Sequence, residues 1–190
     1  MNIFILDNDP AIAAKLQCDK HVVKMIVESA QMLSTAHRML DGDQELRPSK
    51  SGKRMVKYWV LPDSREEIIY KAVHMGHPCT VWTMKNDNNY NWHYNHFVAL
   101  CREYTYRYGK VHATEKLLKE PLSKPPKNIK SGYKYLMSPF ALAMQHEPQC
   151  INESDPVKSY QDYYNTKQKN FKMVWTKRQI PEWFKENINE

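Results

Sequence analysis

Residues 18–38, CDKHVVKMIVESAQMLSTAHR, return an apolar side chain at every third or fourth position and contain neither proline nor glycine. This pattern constrains the chain more than any other in it. At about 100° per residue, Val22, Ile26, Ala30, Leu33 and, further on, Leu40 gather on one face, which predicts a long amphipathic helix ending near the DGD at 41–43. The opposite sector carries His21, Lys24, Glu28, Gln31, Thr35 and Arg38. A solvated helix face more often repeats Glu–Lys pairs. This one stacks an imidazole, an amine, a single carboxylate, an amide and a hydroxyl in successive turns, and it reads as the wall of a site.

The rest of the chain follows the same helical logic. A second helix is expected from Asp87 to Tyr108, stopped by Gly109, with Tyr90, Tyr94, Phe97, Cys101, Tyr104 and Tyr108 as its core stripe. Asp9 and Pro10 form a helix start, as N-cap and first helical residue. The preceding NIFIL reads as a buried strand or extended segment. Ser64 with Glu67 three residues on suggests a helix from 64 to about 75. Residues 44–65 are polar and basic and read as a long loop, as does the Pro- and Lys-rich stretch KEPLSKPPKNIKSGYK. Two shorter helices are expected at 156–176 and 181–188, split by Pro181. Only five glycines and no series of alternating strands argue against a Gly-rich β architecture. The expectation is a mainly α, single-domain helical fold with a short N-terminal extended segment and long basic loops. Residues 1–112 would form its core, and 113–190 a basic, aromatic-rich C-terminal extension.

An apolar content of 42% and an aromatic content of 12% exclude wholesale disorder. Cys18, Cys79, Cys101 and Cys150 lie far apart without a CxxC pair, as expected for reduced thiols. MNIFILDNDP lacks the basic start and long apolar run of a signal peptide, and no window approaches the ~20 apolar residues of a membrane span. A cytoplasmic protein without a membrane partner is expected, with a monomer as the favoured state. The net charge is +7, and most of it falls between residues 119 and 178, where eleven Lys and Arg stand against five Asp and Glu. Tyrosines and a tryptophan interleave with those cations in YQDYYNTKQKNFKMVWTKR, a mixture suited to phosphate contacts and base stacking as well as to a plain solvated tail.

Several chemistries find no support. GxxxxGK[ST], GxGxxG and GxSxG are all missing, which removes the signals for a phosphate cradle or a nucleophile elbow. His74 with His77 and His93 with His96 have ligand-like spacing, near Cys79 and Asp87, and keep a metal-dependent nuclease or phosphohydrolase open as an alternative. Eight histidines make such pairs common by chance, however, and neither a metal nor another cofactor is expected. The polar stripe is the stronger candidate. His21 and Glu28 stand almost two turns apart with Lys24 between them, so all three can address one ligand. An amine beside a carboxylate and an imidazole suits covalent attack on an electrophilic carbon, the carboxylate stabilising the resulting cation and moving protons. An inward-facing hydrogen-bond network would use the same residues.

DKHVVKMIVE, with Asp19, His21 and Glu28 spaced as D-x-H-x6-E, resembles the active-site helix of the pyrimidine-dimer DNA glycosylases of the phage endonuclease V type. GHPCTVW and YNHFVALCREYTYRYG resemble a second block of that family, so the likeness covers about residues 19–112. The chain as a whole also resembles a group of small phage proteins. The glycosylase resemblance implies a helical fold and repair of double-stranded DNA. A nucleotide is flipped out, its glycosidic bond is cut, and the backbone is nicked by β-elimination from a Schiff base. It assigns the catalytic glutamate to Glu28 and the neighbouring histidine to His21.

Two departures from the family pattern matter. The family's attacking amine is the N-terminus exposed by methionine removal before a small residue, whereas residue 2 here is Asn, which usually leaves Met1 in place. The amine would then belong to Met1 or Asn2, with Lys24 as the substitute. An α-amine titrates near ~7.7–8.0 against ~10.4 for an ordinary lysine, which ranks the N-terminus first. Without such an amine, Glu28 would activate water and lyase activity would be lost. The family's arginine before the glutamate is Val27 here, so phosphate contacts pass to other residues. Arg38, Lys53, Arg54, Lys57 and His77 are the candidates, with Tyr163, Tyr164, Lys169 and Trp175 for the opposite strand. A nucleic-acid-binding protein without catalysis would share this fold and surface, and an enzyme acting on free nucleotides would not need the basic C-terminal region.

Overall fold

The computed structural model describes residues 1–134 and 136–186. Its frame is two long helices, α2 (Asp19–Asp41) and α5 (Asp87–Tyr108), packed on one another, with the short α1 (Pro10–Lys15) also lying on α5. α1 starts as its sequence dictates. Asp9 accepts hydrogen bonds from the Ala11 and Ile12 amides at 2.7 and 3.0 Å, and Pro10 fills the first helical position, where no N–H is needed. α5 ends at Gly109, whose φ of 68° is a left-handed conformation that glycine adopts without strain. Gly42 ends α2 for a different reason: a Cβ there would come within 2.6 Å of the Arg38 carbonyl oxygen.

Val22, Ile26, Ala30 and Leu33 are fully buried, as the α2 periodicity predicts, while Leu40 is half-buried. Tyr90, Phe97 and Cys101 of α5 are fully buried, and Tyr94, Tyr104 and Tyr108 half-buried. α4 (Pro78–Met84) packs against both long helices, and α6 (Ala113–Leu118) against α2. The fold is mostly α with one small sheet, built as a single compact unit.

Where the structure departs from the sequence reading, a tertiary contact overrides a local preference. Residues 43–60 are an antiparallel hairpin rather than a loop. β1 (Asp43–Pro48) pairs with β2 (Met55–Val60) in the register Asp43 to Val60 and Pro48 to Met55, around a turn with Gly52 at φ 70°. Trp59 anchors the hairpin in the protein. The expected helix at 64–75 survives only as one turn, α3 (Arg65–Ile68), and Ser64 makes no side-chain cap. Beyond it the backbone must stay open, because the Ile69 and Tyr70 carbonyls accept hydrogen bonds from Arg38 at 3.1 and 2.6 Å. NIFIL forms no strand. Ile3, Phe4, Ile5 and Leu6 are buried in irregular backbone, with Phe4 at φ 56°.

The C-terminal region shares this core instead of extending from it. α7 (Pro156–Thr166) is shorter than expected and ends in a 3-10 turn, Lys167–Lys169. A continued helix would forfeit the contacts that follow. The Trp175 indole donates to the Leu16 carbonyl at 2.8 Å, Thr176 bonds both Asp19 carboxylate oxygens, and Arg178 forks onto Glu103 at 2.8 Å through each nitrogen. Arg107 joins Glu103 to Asp19, so the C-terminal strap is held by an ion network at the start of α2. Residues 181–186 form a turn rather than the start of the helix expected at 181–188, and residues 187 and 188 lie outside the described ones.

Candidate active site

α2 presents its first three turns to a cleft of about 230 Å³ whose other walls come from residues 1–4 and 163–171. Met1, Asn2 and Phe4 form one side and Tyr163, Lys167, Asn170 and Phe171 the other, with His21, Lys24 and Glu28 between them. All five residues expected to carry catalysis, Glu28, His21, Met1, Asn2 and Lys24, therefore meet in one cleft.

Glu28 is its focus. One carboxylate oxygen accepts the Asn2 backbone N–H at 3.0 Å and lies 3.8 Å from the Met1 nitrogen, and the other pairs with the Lys24 ammonium at 3.1 Å. Asn2 is fixed by its own side chain. Its amide oxygen accepts the Ile3 N–H at 2.8 Å, and its amide nitrogen donates to the Ala143 carbonyl at 3.0 Å. The irregular N-terminal backbone, turned by Phe4, thus delivers the main-chain nitrogens of residues 1 and 2 to a single carboxylate. Glu28 is largely enclosed, at 13% side-chain exposure, whereas Lys24 is 61% exposed.

His21 is held more tightly. Its ring stacks on Phe4 at 4.6 Å, meets Phe171 edge-on, and its Nδ1 lies 2.7 Å from the Tyr164 hydroxyl. Burial, reinforced by the charges of Lys24, Lys167 and Lys20, pushes its pKa down to about 3, so at neutral pH the imidazole is uncharged. It acts as a neutral wall and hydrogen-bonding group in an electropositive cleft, not as a cationic acid. His77 stands behind Met1. It caps α4 by accepting the Cys79 N–H at 3.2 Å, and burial followed by the charge of the N-terminal amine lowers its pKa.

The residues expected to hold DNA divide sharply. Arg38 is fully buried, and all five of its N–H donors are satisfied by the carbonyls of Trp59, Glu66, Ile69 and Tyr70 and by the Glu66 carboxylate. It has no donor left for a phosphate. Tyr164 is fully buried, receiving the Cys18 N–H at 2.9 Å, and Trp175 is buried against Leu16. The expectation of strand contacts at these three residues is corrected: long-range acceptors draw each one into the interior. Lys53 and Arg54 sit exposed at the hairpin turn and Lys57 on β2, outside the cleft. Tyr163 lines the cleft. Lys169 lines a larger neighbouring cleft of about 770 Å³ that shares Phe171 with the first.

Sequence reasoning missed Lys167, Phe4, Asn170 and Phe171 as cleft residues. The basic-aromatic pattern at 160–178 marked the right segment, but it could not tell Lys167 from Lys169 without knowing where α7 ends. The histidine pairs do not converge either. His93 is buried against the Thr83 hydroxyl at 2.8 Å, His96 against the Pro10 carbonyl at 2.9 Å, and His74 is exposed. Among the described residues no three His, Cys, Asp or Glu side chains are grouped to hold a metal ion. Among the same residues no helix is long and apolar enough to cross a membrane.

No family model, curated protein or solved structure matches the chain.

Proposed function

We propose that the protein is a DNA glycosylase, with AP-lyase activity, that excises a damaged or modified base of the pyrimidine-dimer type from double-stranded DNA. The observation that carries this reading is the convergence of the residue 1 and 2 nitrogens and the Lys24 ammonium on the Glu28 carboxylate at the floor of an open cleft. An amine here attacks C1′ of an extruded nucleotide. The C1′–N bond to the base breaks as the new C1′–N bond forms, and the base leaves with a proton. Sugar-ring opening gives a protonated imine, which the adjacent carboxylate stabilises. Removal of a C2′ proton, with Glu28 as base, then expels the 3′ phosphate. The chain at Met1 provides the amine in this proposal. An amine on Asn2 would stand closer still to Glu28, and Lys24 is the substitute. Neutral His21 and the rings of Phe4, Tyr163 and Phe171 offer the extruded nucleotide an aromatic lining.

A second reading draws on the same contacts. A carboxylate that anchors the N-terminal segment to α2 has a structural role in a DNA-binding protein without catalysis. Borohydride trapping on duplex DNA carrying one abasic site or one pyrimidine dimer, without added metal, separates the two. The first reading expects a covalent adduct that maps by mass spectrometry to Met1, Asn2 or Lys24. It also expects Glu28→Gln to slow base release by about 10²–10⁴-fold while the chain still folds. Binding without adduct or base release, unchanged by Glu28→Gln, selects the second reading.

A further inference from the structure

We infer that Lys167 is the phosphate grip of the cleft, holding the backbone phosphate of the nucleotide that Glu28 addresses. This rests on the glycosylase reading for the identity of the ligand, and on the cleft itself for the site.

Lys167 enters the cleft from the turn that ends α7, on the wall facing α2. It is half-buried, and its ammonium lies 3.6 Å from the centre of the Tyr163 ring. The cation–π contact fixes where the amine points without neutralising it. Among the described residues no carboxylate lies within ion-pair distance of it, in contrast to Lys24, which is paired with Glu28. Glu147 acts on it only from further off, and burial together with the charge of Lys24 lowers its pKa. A desolvated, oriented and unpaired ammonium at the mouth of a cleft is under-satisfied until an anion arrives. The cations around it favour a polyanion over a single ion. Lys20 sits 4.3 Å above Phe171, and beyond that ring the larger cleft is lined by Lys169 and Lys172. A strand whose phosphate meets Lys167 can thus continue along cations on the far side of Phe171. Val27, at the position before Glu28, has no charge to offer, and Arg38 is sealed in the interior.

The test is equilibrium binding of the full chain to a duplex bearing a tetrahydrofuran abasic site, read by anisotropy across a salt series, with base release assayed separately. Lys167→Gln is expected to weaken binding about tenfold and to make the slope of log affinity against log salt shallower by about 1. Lys167→Arg should restore the slope. Parallel salt slopes for the parent and Lys167→Gln overturn the grip. A measurement on the parent chain needs no variant: bound DNA should protect Lys167 from acetylation more than Lys53, and equal labelling overturns the grip. If the slope changes as expected but the parent releases no base, the grip stands and the glycosylase reading falls. If base release is intact and the slopes are parallel, only the grip falls. No binding by the parent overturns both. A nucleoside 5′-monophosphate that competes in a Lys167-dependent way at concentrations below those of the DNA retains the grip but assigns it to free nucleotides.

Discussion

One face of α2 carries two different kinds of polar surface. In its first turns His21, Lys24 and Glu28 border an open cleft, and the carboxylate gathers donors from an exposed lysine and from residues 1 and 2. Two turns on, Thr35 and Arg38 are fully enclosed. Thr35 bonds the backbone of Val73 as both donor and acceptor at 3.1 Å, and Arg38 closes five hydrogen bonds on four backbone carbonyls and one carboxylate. The same helical spacing therefore yields the wall of an open cleft at one end and a sealed clamp at the other. What separates them is the segment that crosses above. Residues 59–73 supply acceptors over the second half, while residues 1–4 and 163–171 leave an open cleft over the first.

The comparison breaks most visibly at Arg38. Arg38→Met removes the buried cation that pairs with Glu66 and leaves several enclosed carbonyls without the donors Arg38 gives them, so a loss of about 3–5 kcal/mol is expected. Against a typical total of about 5–15 kcal/mol, that appears as a large fall in Tm by calorimetry, with DNA affinity per folded molecule unchanged. Glu28→Gln should do the reverse, slowing base release by about 10²–10⁴-fold with little change in Tm. A similar Tm loss for both variants would mean that the two halves are one structural unit.

Acid should act on both halves alike. His21 in the open half and His37 in the closed half, with His96 under α1, have pKa values pushed down from 6.5 to about 3, 4 and 4, chiefly by burial. The folded chain keeps these rings neutral, while the unfolded chain takes up protons below about pH 6.5. Stability present above that pH is lost as it falls toward 4, by about 2 kcal/mol per imidazole at pH 5. A Tm that drops steeply between pH 7 and 5 is the expected result. The smallest effect belongs to Thr35→Val, which keeps shape and removes one hydroxyl. A cost of about 1–2 kcal/mol in urea unfolding, with base release unaffected, would sharpen the boundary between the halves.

α2 and α5 were legible because a 3.6-residue period over more than five turns has no competing reading, and the Asp9–Pro10 start was legible because capping is local. The convergence of His21, Lys24 and Glu28 followed from spacing alone. The fate of Arg38 did not, since its acceptors lie 21 to 32 residues away and carbonyls leave no mark in a sequence. The hairpin was hidden for another reason. Its strands, DQELRP and MVKYWV, are mostly exposed, so neither face carries a steady apolar alternation. The start of α7 at Pro156 was legible, but its C-terminal end was overrun, because Trp175 and Thr176, inside the expected helix, dock on Leu16 and Asp19 instead.

The cleft is bounded on one side by residues 1–4 and on the other by residues 163–171. On the ribosome the first wall emerges well before the second. A nascent chain exposes residues 1–4 and Glu28 early, yet the cleft that they border is not closed on its other side until α7 and the following turn have left the exit tunnel. Chains that stop before α7 would therefore lack one wall of the cleft, although Glu28 and the N-terminal residues that meet it are already made.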